Sequence, residues 1–275
     1  MSEGEALSSP DGRFTYAVAG RAGAPVVFLH GIGGSAWAWA PQLAALAGEY
    51  RAVAWDMPGY GGSAPLPEVS IAILAEALTD FLGQLGLERP VLVGHSIGGM
   101  IVQQLVAERP DAARAVVLAQ TSPAFGSRDG EWQRDFVAAR LGPLDRGAIM
   151  ASLAAGIVGD LVGDDPDPEG RALAHACMAA VPEASYRAMV TALLGFDLRA
   201  ALPRIAVPAL VLAGGKDTNA PAPMMRRMAE RIPGAAYVCL DGAGHLANLE
   251  RPAAFNRALL AFLSEHALSR ESALP

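Results

Sequence analysis

Cysteine, lysine and long apolar runs are scarce in this 275-residue sequence, and each scarcity excludes something. Only Cys177 and Cys239 are present, with no C-x-x-C or zinc-ligand spacing, so a disulfide framework and a thiolate metal site are both excluded. That usage fits a reducing, cytoplasmic compartment. Lys216 is the sole lysine, and the formal net charge is −7 with no basic cluster. Nucleic acid and anionic membranes are therefore not the expected partners. The preponderance of arginine over lysine, like the abundance of alanine, reads as compositional bias. No apolar stretch approaches the ~18 residues that would suggest a membrane span. The opening "MSEGEALSSPDG" is polar and acidic, unlike a secretory signal. Metal-ligand spacing is missing too. The acidic run "GDDPDPEG" (163–170) lacks the alternating spacing of a calcium loop and is stiffened by prolines, so it reads as a solvated connection.

What is present is a chain able to bury a large core, with 52% hydrophobic and 18% charged residues. Short β-rich runs fall at 13–19, 25–30, 51–56, 90–95, 115–120, 209–215 and 235–242. Helical patterns lie between or beside them at 41–47, 69–85, 98–108, 222–231 and 252–267. This alternation predicts an α/β fold with a mostly parallel sheet flanked by helices. The middle runs are continuously apolar, as strands buried on both faces require. Between about Pro123 and Pro203 the alternation stops and only helical patterns remain. Residues 1–122 and 204–275 are thus expected to form the core, and 123–203 a helical cap over the sheet's carboxyl edge.

The loop "FLHGIGGSAWAW" (28–39) poses a choice. Its glycine spacing fits a dinucleotide fingerprint, with Asp56 at the expected acidic distance. A pyrophosphate site would need the helix to start inside the glycine turn, which leaves Pro41 in a helix interior at a cost of ~3 kcal/mol or more. Starting the helix near Pro41 puts the proline in a favoured first turn. Residues 31–40 then form a loop too long for a pyrophosphate turn, and no cofactor is expected.

"LVGHSIGGM" places Ser96 in a G-x-S-x-G elbow between a buried strand and a helix starting near Gly98. The sharp turn strains the serine, and a Cβ two residues before or after would crowd it. A serine hydroxyl needs a base, and His245 follows the last strand while Asp217 follows the strand before it. The order Ser96, Asp217, His245 suits nucleophile, acid and base on such a sheet. The expected oxyanion donors are the backbone N–H groups of Ile97, just after the nucleophile, and Ile32 in "HGIGG". Gly31, Trp37 and His175 are candidate substrate contacts, with hydrophobic anchoring the competing role for Trp37 and helix packing or exposure for His175. His30 is expected to fix its loop, His95 to turn away from substrate, and His266 to lie at the surface. The strand ending at Gln120 carries no carboxylate in the alternative acid position.

Together "HGIGGS", "DMPGYGGS", "GHSIGG", "GGKDTNAP" and "GAGHLANLERP" resemble the α/β-hydrolase superfamily over nearly the whole chain. The resemblance implies an eight-stranded, mostly parallel sheet with a helical cap, and a structural rather than ribose-binding Asp56. The C-terminal stretch, with Asn248 three residues after the histidine, resembles 3-oxoadipate enol-lactonases and related small carboxylesterases. The front loop and the cap depart from that pattern. A serine at the elbow, in place of aspartate, separates the chain from haloalkane dehalogenases and epoxide hydrolases. The expectation is a cofactor-independent serine hydrolase acting with water on a small ester or lactone, as a monomer or small homo-oligomer. Hydrolysis of a carbon–carbon bond in a vinylogous diketone is the alternative, using cap arginines Arg128, Arg134, Arg140 or Arg187. Perhydrolase or haloperoxidase-type side activity and a non-catalytic ligand receptor are further readings.

Overall fold

The computed structural model of the chain describes residues 6–126 and 130–266. The first five residues of the polar N-terminal stretch and Arg128 lie outside them. Among the described residues there are eight strands: β1 (Leu7–Ser8), β2 (Thr15–Ala19), β3 (Pro25–Leu29), β4 (Arg51–Trp55), β5 (Val91–His95), β6 (Ala115–Ala119), β7 (Ala209–Gly214) and β8 (Ala236–Leu240). The helices are α1 (Ala40–Leu46), α2 (Ile71–Gln84), α3 (Ile97–Glu108), α4 (Glu131–Asp145), α5 (Met150–Leu161), α6 (Pro168–Ala180), α7 (Glu183–Ala192), α8 (Ala222–Ala229), α9 (Ala247–Glu250) and α10 (Pro252–Glu265).

The strands form one sheet in the order β1-β2-β4-β3-β5-β6-β7-β8. β2 pairs antiparallel with both β1 and β4 at one edge, and the other pairings are parallel. Every residue of β3, β5, β6 and β7 is buried. That two-sided burial is why these runs are continuously apolar. Alternate side chains feed two cores: Val27 and Leu29 face one with α2 and α3, while Val26 and Phe28 face the other with α1 and α10. The chain builds β4 on one side of β3 and then β5 on the other, so the strand order reverses between β3 and β5. Ligands bind at such reversals, beyond the strands' carboxyl ends.

Local chemistry sets the helix ends. The Ser70 side chain accepts the Ile73 N–H at 3.2 Å to start α2, and Gly86 (φ +62°) supplies the left-handed residue just beyond its end. Asp167 caps α6 by accepting the Gly170 N–H at 2.8 Å, with Pro168 at the favoured first position. Between β6 and β7 the chain forms the helical insert α4–α7, with a single bridge between Ala124 and Asp197 at its base.

Two features differ from expectation. β1 is a two-residue edge strand with no sequence pattern of its own, and both residues are exposed. Residues 31–40 are not all loop, because Ala36–Trp39 form a 3-10 turn started by the Ser35 side chain accepting the Trp37 N–H. Pro41 lies in the first turn of α1, as its missing N–H favours. Asp56 is consumed structurally: one oxygen accepts the Ala36 N–H at 2.7 Å and the other the Thr15 hydroxyl at 2.9 Å.

Candidate active site

Ser96 leaves β5 in the φ 53°, ψ −120° conformation and α3 begins at the next residue. A non-glycine residue there is strained, and the surrounding packing must hold it. The Ser96 N–H donates to Ala119 O at 3.0 Å, and the Thr121 hydroxyl donates to Ser96 O at 2.7 Å. A Cβ on Gly94 would lie 2.5 Å from Gly98 O, and one on Gly98 would lie 2.5 Å from Leu29 O. The elbow is thus wedged between its own helix and the backbone of β3.

His245 and Asp217 come to the serine from the ends of β8 and β7. His245 Nε2 is 3.0 Å from Ser96 Oγ, and its Nδ1 is 2.8 Å from Asp217 Oδ2. A carboxylate can only accept, so Nδ1 carries the proton and Nε2 offers its lone pair to the serine hydroxyl. The other Asp217 oxygen accepts the N–H groups of Asn219 (2.8 Å) and Ala220 (3.0 Å). Burial alone would raise this carboxyl's pKa. The adjacent His245 and those two N–H groups outweigh burial and hold it below the ordinary value.

Two of the remaining histidines, His30 and His95, are held by backbone groups. His30 Nδ1 donates to Gly31 O at 2.7 Å, and its Nε2 accepts the Met57 N–H at 3.2 Å, which fixes the loop after β3. His95 turns under the histidine loop, where its Nε2 donates to His245 O at 2.7 Å. Burial, with His245 beside it, pulls the His95 pKa down to about 3, so the ring is neutral. His266 is exposed.

A cavity of about 580 Å³ opens above Ser96, walled by the loop after β3 and by the insert. Gly31 and Ile32 line it beside Ser96 and His245. A Cβ on Gly31 would approach His95 Nδ1 to 2.8 Å and Ser96 Cβ to 3.3 Å, so only glycine lets this loop lie so close. The Ile32 carbonyl accepts the Tyr60 hydroxyl at 2.8 Å, which pins the loop. Ile97 is fully buried at the first position of α3, where the helix end favours negative charge.

Two expected contacts fall elsewhere. His175 sits exposed on the outer side of α6 and borders a separate small hollow rather than the cavity above Ser96. Trp37 packs against both cores and does not line the cavity, whereas Trp39, two residues on, does. The 3-10 turn decides this by placing Trp37 and Trp39 on different sides. Of the cap arginines, Arg134 is exposed and Arg187 is paired with Asp145 and Glu183, while Arg140 reaches the cavity wall over the Phe136 ring.

Glu250, to which no sequence feature assigns a role, is 2% exposed and binds the backbone on both sides of His245. The acidic run 163–170 is a solvated connection that also has a second role. Asp164 and Asp165 do expose their side chains, but the backbone of the run docks on the histidine loop. Asn248 ties that loop to the 3-10 turn by donating to Ala38 O at 2.9 Å.

A sequence model of the alpha/beta hydrolase family matches residues 26–258. The protein of Stutzerimonas stutzeri (strain A1501) that carries the name carbamate hydrolase RutD is 32% identical over 246 residues, covering 87% of this chain and 91% of its own. The enol-lactonase from Burkholderia xenovorans LB400 superposes with a TM-score of 0.81 at 28% identity, over 94% of this chain and 100% of its own. The esterase EaEST from Exiguobacterium antarcticum gives 0.83 at 25% identity, over 95% and 99%.

Proposed function

Because the chain belongs to the alpha/beta hydrolase family, we propose that it is a cofactor-independent serine hydrolase cleaving a carboxylic ester or lactone through an acyl-enzyme. The observation that carries this reading is the continuous relay from Ser96 Oγ through His245 to Asp217, with contacts of 3.0 and 2.8 Å. In it, Ser96 Oγ attacks the substrate carbonyl while His245 Nε2 takes the hydroxyl proton. Asp217, ionised and buried, keeps Nδ1 protonated and stabilises the imidazolium that forms. The carbonyl oxygen becomes an oxyanion, which the Ile32 and Ile97 N–H groups receive. The imidazolium returns its proton to the departing alkoxide, and water then repeats the sequence to release the acid. For a lactone, the hydroxyl formed on ring opening stays part of the acyl group and leaves the enzyme with it, as a hydroxy acid, in that second step.

The substrate body belongs in the cavity, whose walls include Phe125, Phe136, Ile157, Val158, Val190 and Leu193. Such walls favour an apolar acyl or alcohol group, at ~0.8 kcal/mol per buried methylene. Enol-lactonase, esterase and carbamate hydrolase, the names carried by the similar proteins, all describe attack on a carbonyl joined to a heteroatom leaving group. Carbon–carbon bond hydrolysis would use the same three residues together with a polar group from the insert. Arg140 is the observation that favours it, and assaying simple esters beside ring-cleavage diketones separates the two.

The deciding experiment is turnover of p-nitrophenyl acetate by the parent and by Ser96→Ala, with fluorophosphonate labelling in parallel. Turnover and labelling by the parent, and neither by the variant, are expected. Retained turnover in Ser96→Ala removes the assignment, and a parent that neither turns over nor labels favours a ligand-binding role.

A further inference from the structure

The loop that carries His245 is shared between the sheet and the insert, and one carboxylate joins them. Glu250 Oε2 accepts the Gly244 N–H at 2.9 Å and the Gly163 N–H at 2.6 Å, while Oε1 accepts the Leu246 N–H at 2.9 Å. Gly244 and Leu246 flank His245, and Gly163 lies just past the end of α5 in the insert. A buried carboxylate with three N–H donors makes strong, charge-assisted bonds.

The rest of the strap, residues 161–167, repeats the attachment. The His245 N–H itself donates to Leu161 O at 2.7 Å, the Asp164 N–H to Gly242 O at 2.8 Å, and the Asp167 N–H to Glu250 O at 3.0 Å. The Arg251 guanidinium donates to the carbonyls of Asp164 and Asp165. Side chains are kept out of the seam. A Cβ on Gly163 would lie 2.2 Å from Gly242 O, and one on Gly244 would lie 2.4 Å from Leu161 O. Seen from His245, the backbone N–H is held by the insert, the carbonyl by His95, and both neighbours by Glu250.

We propose that Glu250 is a positioning residue for His245, and that through Gly163 it makes the alignment of the catalytic base depend on the seating of the insert. The inference rests on the reading of His245 as the base. An insert displaced at the strap releases the His245 N–H and one of the three Glu250 bonds together. The imidazole then loses its set distance to Ser96 and Asp217, although no residue that touches substrate has changed.

The test uses the full chain with Glu250→Gln and Gly163→Ala, and with Phe262→Leu in α10 as a buried change remote from the strap. Glutamine has the same shape, but it turns an amide N–H toward backbone donors. Gly163→Ala pushes the strap off Gly242 and remains informative should Glu250→Gln fail to fold. Two readouts are needed: kcat and KM on p-nitrophenyl acetate, and the low-field proton NMR signal of His245 Nδ1–H. A displacement near 1 Å can cost about 100-fold, so kcat is expected to fall by roughly 10- to 100-fold with KM nearly constant. The low-field signal should shift or vanish in both variants, while Phe262→Leu keeps kcat and signal even where its melting temperature falls as far. Parental kcat with an intact signal in either variant overturns the proposal. An equal loss of kcat in Phe262→Leu also overturns it, by reducing the effect to stability. If the parent has no hydrolase activity, the ester or lactone reading fails, and the NMR signal still decides whether Glu250 and the strap set His245.

Discussion

Ser96 and His245 stand 3.0 Å apart, yet the loops that carry them are held by different forces. The elbow is fixed by steric exclusion. Gly94 and Gly98 leave no room for a Cβ, the backbone bond to Ala119 belongs to the sheet, and Ile97 behind it is fully buried. The histidine loop is fixed by polar contacts: to Leu161 and His95, distant in sequence, and to nearby Glu250, which Gly163 of the insert also holds. One geometry comes with the folding of the sheet. The other requires the insert to be docked. Ser96 and His245 should therefore respond differently to damage, the elbow losing stability and activity together and the histidine loop losing activity first.

The largest expected effect, on the elbow side, is that of Gly98→Ala. Its Cβ would meet Leu29 O at 2.5 Å and His30 O at 2.9 Å, both backbone atoms at the end of a central strand. Overpacking of this kind costs about 1–3 kcal/mol, and a shift of α3 moves Ser96 and Ile97 with it. Urea unfolding and esterase assays should fall in step. A variant of parental stability that had lost only its activity would break the contrast with the histidine loop.

A smaller effect comes with pH, through the histidines under the two loops. Burial lowers the folded-state pKa of His30, and that of His95 goes to about 3 from an ordinary 6.5. Between those values the unfolded chain binds protons that the folded chain refuses. Stability contributed by each ring is fully present above pH 6.5 and is lost as pH falls toward its folded value. Each histidine contributes a slope of up to about 1.4 kcal/mol per pH unit in that window. Asp217, held below its ordinary 3.8, adds a loss of the same sign at lower pH. Urea midpoints from pH 7 to 5 should decline, and less steeply in His95→Gln, which keeps a donor for His245 O. An unchanged slope in that variant would place the proton uptake elsewhere.

The same contrast explains what could be read from the sequence. The central strands announce themselves because burial on both faces demands unbroken apolar runs, as in "VVFL" and "AVVLA". The elbow is legible because sterics there select glycine at fixed offsets, and the chain order of Ser96, Asp217 and His245 follows from the sheet. The strap was not legible. It docks through N–H and C=O groups that every residue carries, so "GDDPDPEG" displays only its exposed carboxylates. Glu250 stands in "GAGHLANLERP", but a buried glutamate and an exposed one look alike in a sequence. Trp37 anchors its loop while Trp39 lines the cavity, because the 3-10 turn across Ala36–Trp39 sets the angle between them, and no periodicity signals so short a turn.

The smallest expected effect sharpens the view that the strap is held by backbone. Lys216, the sole lysine and the neighbour of Asp217, places Nζ 3.0 Å from Asp164 Oδ2, so a charge pair also spans the seam. Both side chains are more than half exposed, at 56% and 65%. Exposed pairs of this kind contribute about 0–1 kcal/mol and are screened by salt. The buried bonds from Gly163 and Gly244 to Glu250 are not screened in that way. Lys216→Ala should therefore leave kcat on p-nitrophenyl acetate nearly unchanged at low and high salt, although the altered residue adjoins Asp217. A kcat loss comparable to that of Glu250→Gln, appearing in the parent at high salt as well, would mean that surface charge seats the strap and that the buried carboxylate only follows it.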